Sequence, residues 1–255
     1  MQTNVYTVKG EVSEKADVPE VFLTGYRPDI IKKAVLAAAA NKRQPYGSKP
    51  DAGMRHSVST WGKGRGVSRV QRLKSGKRAT QSPNNVTGRR AHPPRPERIW
   101  DQKVNKKELK IARCSALAAT ASSECVKERG HRFDDNVSFP IVVADEFQSV
   151  STTSEVSEFF DAIGIGYDVE RAKDGRKIRA GRGTMRNRKY RTPVSVLVVV
   201  SERDLPIFKG ASNLPGVQVE SVDTLNTGIL APGGDAGRLT VYTKSAFQKV
   251  GEWTQ

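Results

Sequence analysis

The sequence predicts an α/β fold, in which a mostly parallel, helix-covered sheet carries a long extended basic internal loop inserted between two helices. Beyond residue 134, apolar runs typical of buried strands alternate with helical patterns. Between residues 41 and 99, glycine, proline, serine and asparagine interrupt every apolar period. These observations divide the chain into a globular body, residues 1–44 and 99–255, and an arm, residues 45–98.

The positive charge is concentrated in and around the arm. The 255 residues carry a net charge of +16, and the stretch from Asn41 to Lys110 holds 19 Lys and Arg residues against four acids. Such a stretch cannot bury enough apolar surface to offset the entropy of ordering, so we expect the arm to be disordered until a polyanion binds it. A membrane surface fits this pattern poorly, because the arm has no apolar face and no run of residues could span a bilayer.

The compartment is predicted from the N-terminus and the cysteines. The N-terminus has no apolar region of the kind found in signal peptides. Cys114 and Cys125 fall in one predicted helix, which favours reduced, buried thiols in a cytosolic protein over a disulfide or a metal site.

The first 44 residues are predicted to form a strand, a tether and a helix. Asn4–Val8 is a short strand that ends in a turn at Lys9–Gly10, and an extended tether follows as far as residue 24. Pro28 and Asp29 suit the first turn of a helix that ends near Asn41. The buried stripe of this helix is expected to contain Ile30, Ile31, Ala34, Val35 and Ala38.

The centre of the arm is the motif Trp61–Gly66, in which glycines alternate with cations. The glycines allow close approach of the backbone to a partner, the cations suit phosphates, and Trp61 can stack on a base. A flexible glycine-rich linker is the alternative, whereas a dinucleotide-binding loop would need a preceding strand and a following helix. The prolines of Gly88–Pro96 predict a stiff, extended return limb.

A capping-box pattern at Asn105–Glu108 opens the next helix, which is predicted to run to Arg129 and to end at Gly130. One face of this helix is expected to hold Leu109, Ala112, Ala116 and Ala119. Because small residues dominate, we expect a close contact with the helix of residues 28–41, which would bring the two ends of the arm together.

The rest of the body is predicted to alternate strands with helices, as in a parallel sheet. The predicted strands are Pro140–Ala144, Tyr167–Glu170, Val194–Val200, Val217–Val219 and Arg238–Thr243. The predicted helices are Thr152–Ile163 and Lys244–Glu252.

A second basic cluster, residues 176–191, precedes the strongest predicted strand and contains eight cations and no acid. A solvated loop is the alternative, but so many like charges are costly to hold together without anions. Outside this cluster and the Asn41–Lys110 stretch, the chain has 16 basic and 23 acidic residues. The two basic segments are therefore localised contact surfaces on a mildly acidic body.

Little in the sequence indicates catalysis. The histidines and cysteines lack metal-binding spacing, and Gly181–Thr184 lacks the Lys-Ser/Thr ending of a phosphate loop. Asp145 and Glu146 follow a predicted strand, where α/β enzymes place catalytic groups, although acids at a strand end are the simpler interpretation. Asp223 and Asp235 are interpreted in the same way. We expect no enzymatic activity, no cofactor and no metal.

Specific motifs follow one another after the alanine-rich first helix: Trp61–Gly66, Gly88–Pro94, Ser115–Thr120, Gly181–Arg191, Leu230–Gly234 and Gly237–Leu239. In combination they resemble the large-subunit ribosomal protein L-four family in its archaeal and eukaryotic form. The resemblance covers nearly the whole chain. The sequence ends soon after the last predicted helix, without the long lysine-rich tail of eukaryotic members, which favours the archaeal type.

The resemblance implies a structural constituent of the large ribosomal subunit that is cytoplasmic and binds large-subunit rRNA and neighbouring ribosomal proteins. The arm would penetrate the rRNA and help to form the polypeptide exit tunnel, opposite the loop of ribosomal protein L-twenty-two. Its tip would meet the nascent polypeptide with Trp61, Gly62, Lys63, Gly64, Arg65, Gly66 and Arg69. The residues expected to contact rRNA are Lys42, Arg43, Arg55, Lys63, Arg65, Arg69, Arg72, Lys74, Lys77, Arg78, Arg89, Arg90, His92, Arg95, Arg98, Arg176, Lys177, Arg179, Arg182, Arg186, Arg188, Lys189 and Arg191.

Two other functions are compatible with the sequence. A nucleic-acid-processing α/β enzyme with a basic clamp would depend on Asp145 and Glu146. A free regulatory RNA-binding protein would not sediment with large subunits at high salt.

Overall fold

The computed structural model describes residues 1–254 and contains two compact units. The body unit comprises Met1–Ala39 and the chain from Gln102 onward, and the arm unit comprises Ala40–Asp101. The helices are α1 (Pro28–Asn41), α2 (Lys106–Thr120), α3 (Ser123–Glu128), α4 (Thr153–Ile163), α5 (Gly166–Asp174), α6 (Ile207–Ser212), α7 (Thr227–Leu230) and α8 (Lys244–Gly251). The strands are β1 (Gln2–Tyr6), β2 (Val12–Asp17), β3 (Val58–Ser59), β4 (Arg72–Leu73), β5 (Ile141–Val143), β6 (Lys177–Ile178), β7 (Tyr190–Arg191), β8 (Leu197–Val200), β9 (Gln218–Ser221) and β10 (Thr240–Thr243).

The body unit is built on a six-stranded sheet in the order β2-β1-β5-β10-β8-β9. Only the edge pair β1–β2 is antiparallel, and the other neighbours run parallel. The predicted α/β class and mostly parallel sheet are therefore confirmed. None of the helices among residues 1–254 is long and apolar enough to cross a membrane.

Both faces of the sheet are buried, which explains the nearly continuous apolar runs of its central strands. On one face, Val142 and Tyr242 pack in a core with Phe22 and Phe247. On the other face, residues such as Ile141 belong to a core that contains the side chains of α4. Because successive residues of a strand point to opposite faces, each central strand supplies both cores.

The arm unit, by contrast, has almost no core, and only Ala40 and Thr80 are buried within it. The short strands β3 and β4 pair antiparallel. The Thr80 carbonyl accepts a hydrogen bond from the Asn85 side chain, and the Thr80 hydroxyl donates to the Thr87 carbonyl at 3.2 Å. Local hydrogen bonds rather than packing therefore hold the arm unit together.

The predicted tether before α1 is wrong, because this segment is structured. Residues Val12–Asp17 form β2, which pairs with β1, and Glu20–Leu23 form a 3-10 turn that buries Val21 and Phe22. Helix α1 has the predicted bounds, but its buried face is rotated. Ile31, Ala34 and Val35 are buried as expected, whereas Ala38 is exposed and Ile30 only partly buried.

The helix predicted as far as Arg129 is two helices, α2 and α3. The Thr120 hydroxyl donates to the Leu117 carbonyl at 2.7 Å, and Ser122 accepts from the Cys125 N–H as the cap of α3. Cys114 and Cys125 consequently lie on different helices, both with free thiols. Burial raises the pKa of the Cys114 thiol.

The expected close packing of α2 on α1 is also wrong. Helix α2 approaches the 3-10 turn of residues 20–23 and helix α7 most closely, and Leu109 is exposed rather than buried. Both helices supply residues to the same core, and a surface ion pair between Lys33 and Glu108, at 2.8 Å, also joins them. The hydrogen bond from Lys33 lowers the pKa of Glu108.

The predicted strand at Tyr167–Glu170 is wrong, since these residues belong to helix α5. The other predicted body strands are present: β5, β8 and β10 are shorter than predicted, β1 begins two residues earlier, and β9 extends to Ser221. Helices α4 and α8 lie where they were predicted. Helices α6 and α7 and the hairpin of β6 and β7 were not predicted.

Candidate nucleic-acid interface

The expected tip of the arm is an open loop. Gly62, Gly64 and Gly66 all have positive φ values, +75°, +78° and +66°, and no atom lies within 4 Å of a Cβ built on any of them. Such φ values favour glycine, so the alternation of glycine with other residues follows from the backbone conformation. Lys63 and Arg65 lie between these glycines and are exposed.

At the base of this loop, Trp61 is covered by an arginine. The Arg72 guanidinium carbon lies 5.1 Å from the Trp61 ring centroid, and Arg72 Nη1 donates to the Lys77 carbonyl at 2.7 Å. Arg72 is therefore half-buried and already engaged within the arm unit. The side chain of Trp61 is half-buried, so stacking on a base would require Arg72 to move or to share the ring.

Most of the other residues expected to contact rRNA along the arm are exposed, and Arg89 is half-buried. The exposed ones are Lys42, Arg43, Arg55, Arg69, Lys74, Lys77, Arg78, Arg90, His92, Arg95 and Arg98. The structure brings Arg43 and Arg98 together at Trp100, with their guanidinium carbons 5.0 and 4.3 Å from the ring centroid. Trp100 thus joins the start and the end of the arm unit.

The second basic cluster forms a hairpin that presents all its cations to solvent. Strands β6 and β7 pair through Lys177 opposite Arg191, and a 3-10 turn at Gly181–Arg186 connects them. Arg176 packs on the Tyr190 ring at 4.4 Å. The exposed cations of this hairpin are Arg176, Lys177, Arg179, Arg182, Arg186, Arg188, Lys189 and Arg191.

Among residues 1–254, none of the Lys and Arg residues expected to contact rRNA forms an ion pair with an acid. The ion pairs that the described residues do form lie in the body unit, such as Arg171 with Asp168 and Lys127 with Asp135. Uncompensated like charges repel one another and raise the local concentration of anions. The arrangement can therefore bind a polyanion along both segments.

Among the carboxylates considered as catalytic candidates, Asp145 has structural partners. Asp145 Oδ1 accepts from the backbone N–H of Ser245 at 2.9 Å and from its hydroxyl at 2.7 Å, at the start of α8. Gln148 Nε2 donates to the same oxygen at 3.1 Å. Asp145 therefore satisfies an N–H group in the first turn of a helix, which is an ordinary role for an acid.

A buried cluster around Asp168 was not foreseen from the sequence. His131 Nδ1 lies 2.9 Å from Asp168 Oδ2, the Ser195 hydroxyl donates to Oδ2 at 2.8 Å, and Arg171 Nε donates to Oδ1 at 2.8 Å. The three residue types of a hydrolase triad are present, but the serine bonds the carboxylate rather than the imidazole. The His131 imidazole therefore does not contact the Ser195 hydroxyl, as the histidine of a triad would.

Two aromatic residues of the arm unit were also not identified as site residues from the sequence. Tyr46 and Trp100 line a cavity together with cations of the return limb. The signal that could have found them is compositional, because aromatic residues are rare in this segment, Tyr46 follows Pro45, and Trp100 lies two residues after Arg98.

Comparisons with known proteins agree with this arrangement. The model of the ribosomal protein L4/L1 family matches residues 16–253. The large ribosomal subunit protein uL4 of Archaeoglobus fulgidus is 51% identical over 253 residues, which cover 99% of each chain. The uL4 proteins of Methanosphaera stadtmanae and Methanoculleus marisnigri are 47% and 46% identical over 252 and 254 residues, at least 97% of each chain. On this evidence, the chain belongs to the ribosomal protein L4/L1 family.

Proposed function

We propose that this protein is a structural constituent of the large ribosomal subunit in the cytoplasm, and that it binds large-subunit rRNA and neighbouring proteins without catalysing a reaction. The observation that carries the proposal is the set of exposed cations in the arm and the second basic cluster, none paired with an acid among the described residues. Neutralising RNA phosphates would offset their mutual repulsion and release counterions. Family membership makes the large-subunit rRNA the polyanion to test first.

In this proposal residues 45–98 form the rRNA-penetrating loop, and residues 1–44 and 99–255 form the body. Lys63 and Arg65 extend from the tip toward the exit tunnel, where they meet the nascent polypeptide opposite ribosomal protein L-twenty-two. The scarcity of buried side chains in the arm unit supports the idea that RNA orders this loop. Recognition then depends on RNA shape and phosphate positions rather than on base sequence.

The test is a deletion of residues 55–95, compared with the full chain. Binding to a large-subunit rRNA fragment is measured over a series of KCl concentrations, and the unfolding of the body is followed separately. We expect a folded body with much weaker rRNA affinity and a shallower dependence of affinity on salt. An unchanged affinity and salt slope would exclude the arm as the RNA-contacting element.

Sedimentation separates this role from that of a free regulatory RNA-binding protein. A constituent of the subunit should remain with large subunits when loosely bound proteins are washed off at high salt. Recovery of the protein only in the unbound fraction would favour the regulatory alternative.

A further inference from the structure

A cavity of about 540 Å³ lies within the arm unit. Tyr46, near the start of the arm unit, lines this cavity. The other lining residues lie near the end of the arm unit and are Arg90, His92, Pro93, Pro94, Arg95, Arg98 and Trp100. No aspartate or glutamate is among the lining residues. The cavity therefore combines aromatic rings with a concentration of positive charge.

The shape of this cavity depends on how closely the two limbs approach each other. The Ser48 N–H donates to the Pro94 carbonyl at 3.4 Å. A Cβ built on Gly47 would lie 2.5 Å from Pro96 Cδ, so only glycine permits this approach. These contacts hold Tyr46, which immediately precedes Gly47, against the return limb.

The Trp100 side chain lacks a hydrogen-bond partner among the described residues in this arrangement. Arg43 and Arg98 pack on its ring, whereas its Nε1 is buried and has no hydrogen-bond acceptor. A buried donor without a partner costs free energy, which an acceptor on a ligand would recover. Tyr46, by contrast, is 67% exposed and keeps a ring face available for stacking.

The size and chemistry of the cavity fit one nucleotide better than an isolated anion. Its volume lies in the range of sites that bind small organic ligands and is far larger than a phosphate requires. The arginines suit a phosphate, and the aromatic rings suit the flat face of a base. An acidic peptide would satisfy the cations but would leave the two rings without a planar partner.

We propose that this cavity is a subsite for one unpaired nucleotide of RNA. The base stacks on Tyr46, and the phosphates contact Arg90 and Arg95. The guanidinium group of Arg43 or Arg98 moves off the Trp100 ring, and Trp100 Nε1 then donates a hydrogen bond to an acceptor on the base. The nucleotide is unpaired because neighbouring bases cover both faces of a base inside a duplex. This subsite rests on the proposed rRNA binding and adds a position at which the protein distinguishes a single strand from a helix.

The experiment compares two RNA probes on the full chain. One is a short single-stranded RNA of mixed sequence, and the other is a blunt-ended RNA duplex with the same number of phosphates. The variants are Tyr46→Leu and Trp100→Leu, which remove the rings and keep the charge, and Trp100→Phe, which keeps a ring but lacks the N–H. Tyr167→Leu is the matched control, because Tyr167 is 58% exposed and lies in helix α5 of the body unit, outside both basic segments.

We expect Tyr46→Leu and Trp100→Leu to lower the affinity for the single strand about tenfold and to leave binding of the duplex unchanged. Trp100→Phe should cause a smaller loss, and Tyr167→Leu should leave the ratio of the two affinities as it is in the unmodified protein. Equal losses for both probes, or no loss for either, would overturn the subsite. A failure of the proposed function looks different, because the unmodified protein would then bind neither probe with a steep salt dependence.

Ultraviolet crosslinking of intact large subunits gives a second readout that does not depend on how the variants fold. Aromatic side chains that stack on a base form adducts with it, so peptides containing Tyr46 or Trp100 should carry the mass of a nucleotide. Crosslinks from these residues to a neighbouring protein instead would show that a protein segment occupies the cavity and would overturn the proposal.

Discussion

His131 Nδ1 lies 2.9 Å from Asp168 Oδ2 in the interior of the body unit, where the two side chains are 3% and 0% exposed. Asp168 also accepts from the backbone N–H of Arg132, from Arg171 and from the Ser195 hydroxyl. One carboxylate thus joins the segment before β5, helix α5 and the segment before β8. Such a connection over long sequence distances specifies how these parts pack.

Replacing Asp168 with Asn should destabilise the body unit by about 3 kcal/mol, because an uncharged amide leaves the buried His131 and the partly buried Arg171 poorly compensated. Urea unfolding followed by circular dichroism measures this change. Asp174→Asn is the matched control, since Asp174 lies on the same helix but is exposed. A loss of similar size in both variants would show that the buried cluster contributes nothing specific.

The stability of the body unit should also depend on Asp168 in acid. Burial alone would raise the pKa of Asp168, but the hydrogen bonds from His131 and Arg171 outweigh burial and hold this pKa well below its ordinary value. The stabilisation is therefore complete above the unfolded-state pKa of about 4 and is lost as the pH falls through the lower folded-state pKa. The free energy of unfolding, measured between neutral pH and strong acid, should fall less steeply below pH 4 in Asp168→Asn. If the free energy of unfolding fell equally steeply below pH 4 in both proteins, Asp168 would not be the source of the acid sensitivity.

The central strands could be predicted because their cause is local and periodic. Ile141–Val143 and Leu197–Val200 are apolar at every position, since the sheet buries both of its faces. Helix α4 was equally clear, because Val156, Phe159, Phe160 and Ile163 recur at helical spacing and are all buried.

The errors arose where distant residues decide the local conformation. Tyr167 and Val169 favour a strand by propensity, but Asp168 bonds residues 131, 132 and 195, which no window of sequence around it contains. Strand β2 was missed because its residues are mostly polar and exposed, as suits the edge of a sheet. In the candidate site, charge density indicated the two basic segments, whereas the cavity at Tyr46 and Trp100 requires two limbs that are about fifty residues apart in the sequence.

Asp145→Asn and Glu146→Gln should leave rRNA binding and incorporation into large subunits unchanged. An asparagine side chain at position 145 would keep an oxygen that accepts from Ser245, and both carboxylates are exposed at the end of β5. The measurement is the yield of subunits containing each variant and their activity in translation. If a nucleic-acid-processing activity of the protein disappeared in these variants, the enzyme alternative would gain direct support.

Lys63→Ala and Arg65→Ala should change the behaviour of the exit tunnel more than the stability of the protein. Both side chains are exposed in an open loop, where no atom lies within 4 Å of a Cβ built on the flanking glycines, so their removal leaves no cavity and breaks no ion pair. Sensitivity to tunnel-binding antibiotics and nascent-chain stalling are the measurements, with thermal unfolding as the reference. Lys9→Ala, at an exposed lysine of the body unit, is the control. Unchanged drug binding and stalling in both arm variants would argue against the tip assignment.

The second basic cluster should contribute to rRNA affinity through charge alone. Arg182, Arg186 and Arg188 are exposed in the hairpin that carries this cluster, and none has an acidic partner among the described residues. If each contacts one phosphate, replacing all three with Gln should reduce the slope of log affinity against log salt by about three and weaken binding to all RNA sequences alike. Replacement of the exposed body residues Lys9, Lys15 and Arg203 with Gln removes the same net charge elsewhere. Because affinity depends on phosphate contacts rather than on net charge, this control should change the slope much less, and equal changes would show that the hairpin is not a localised RNA contact.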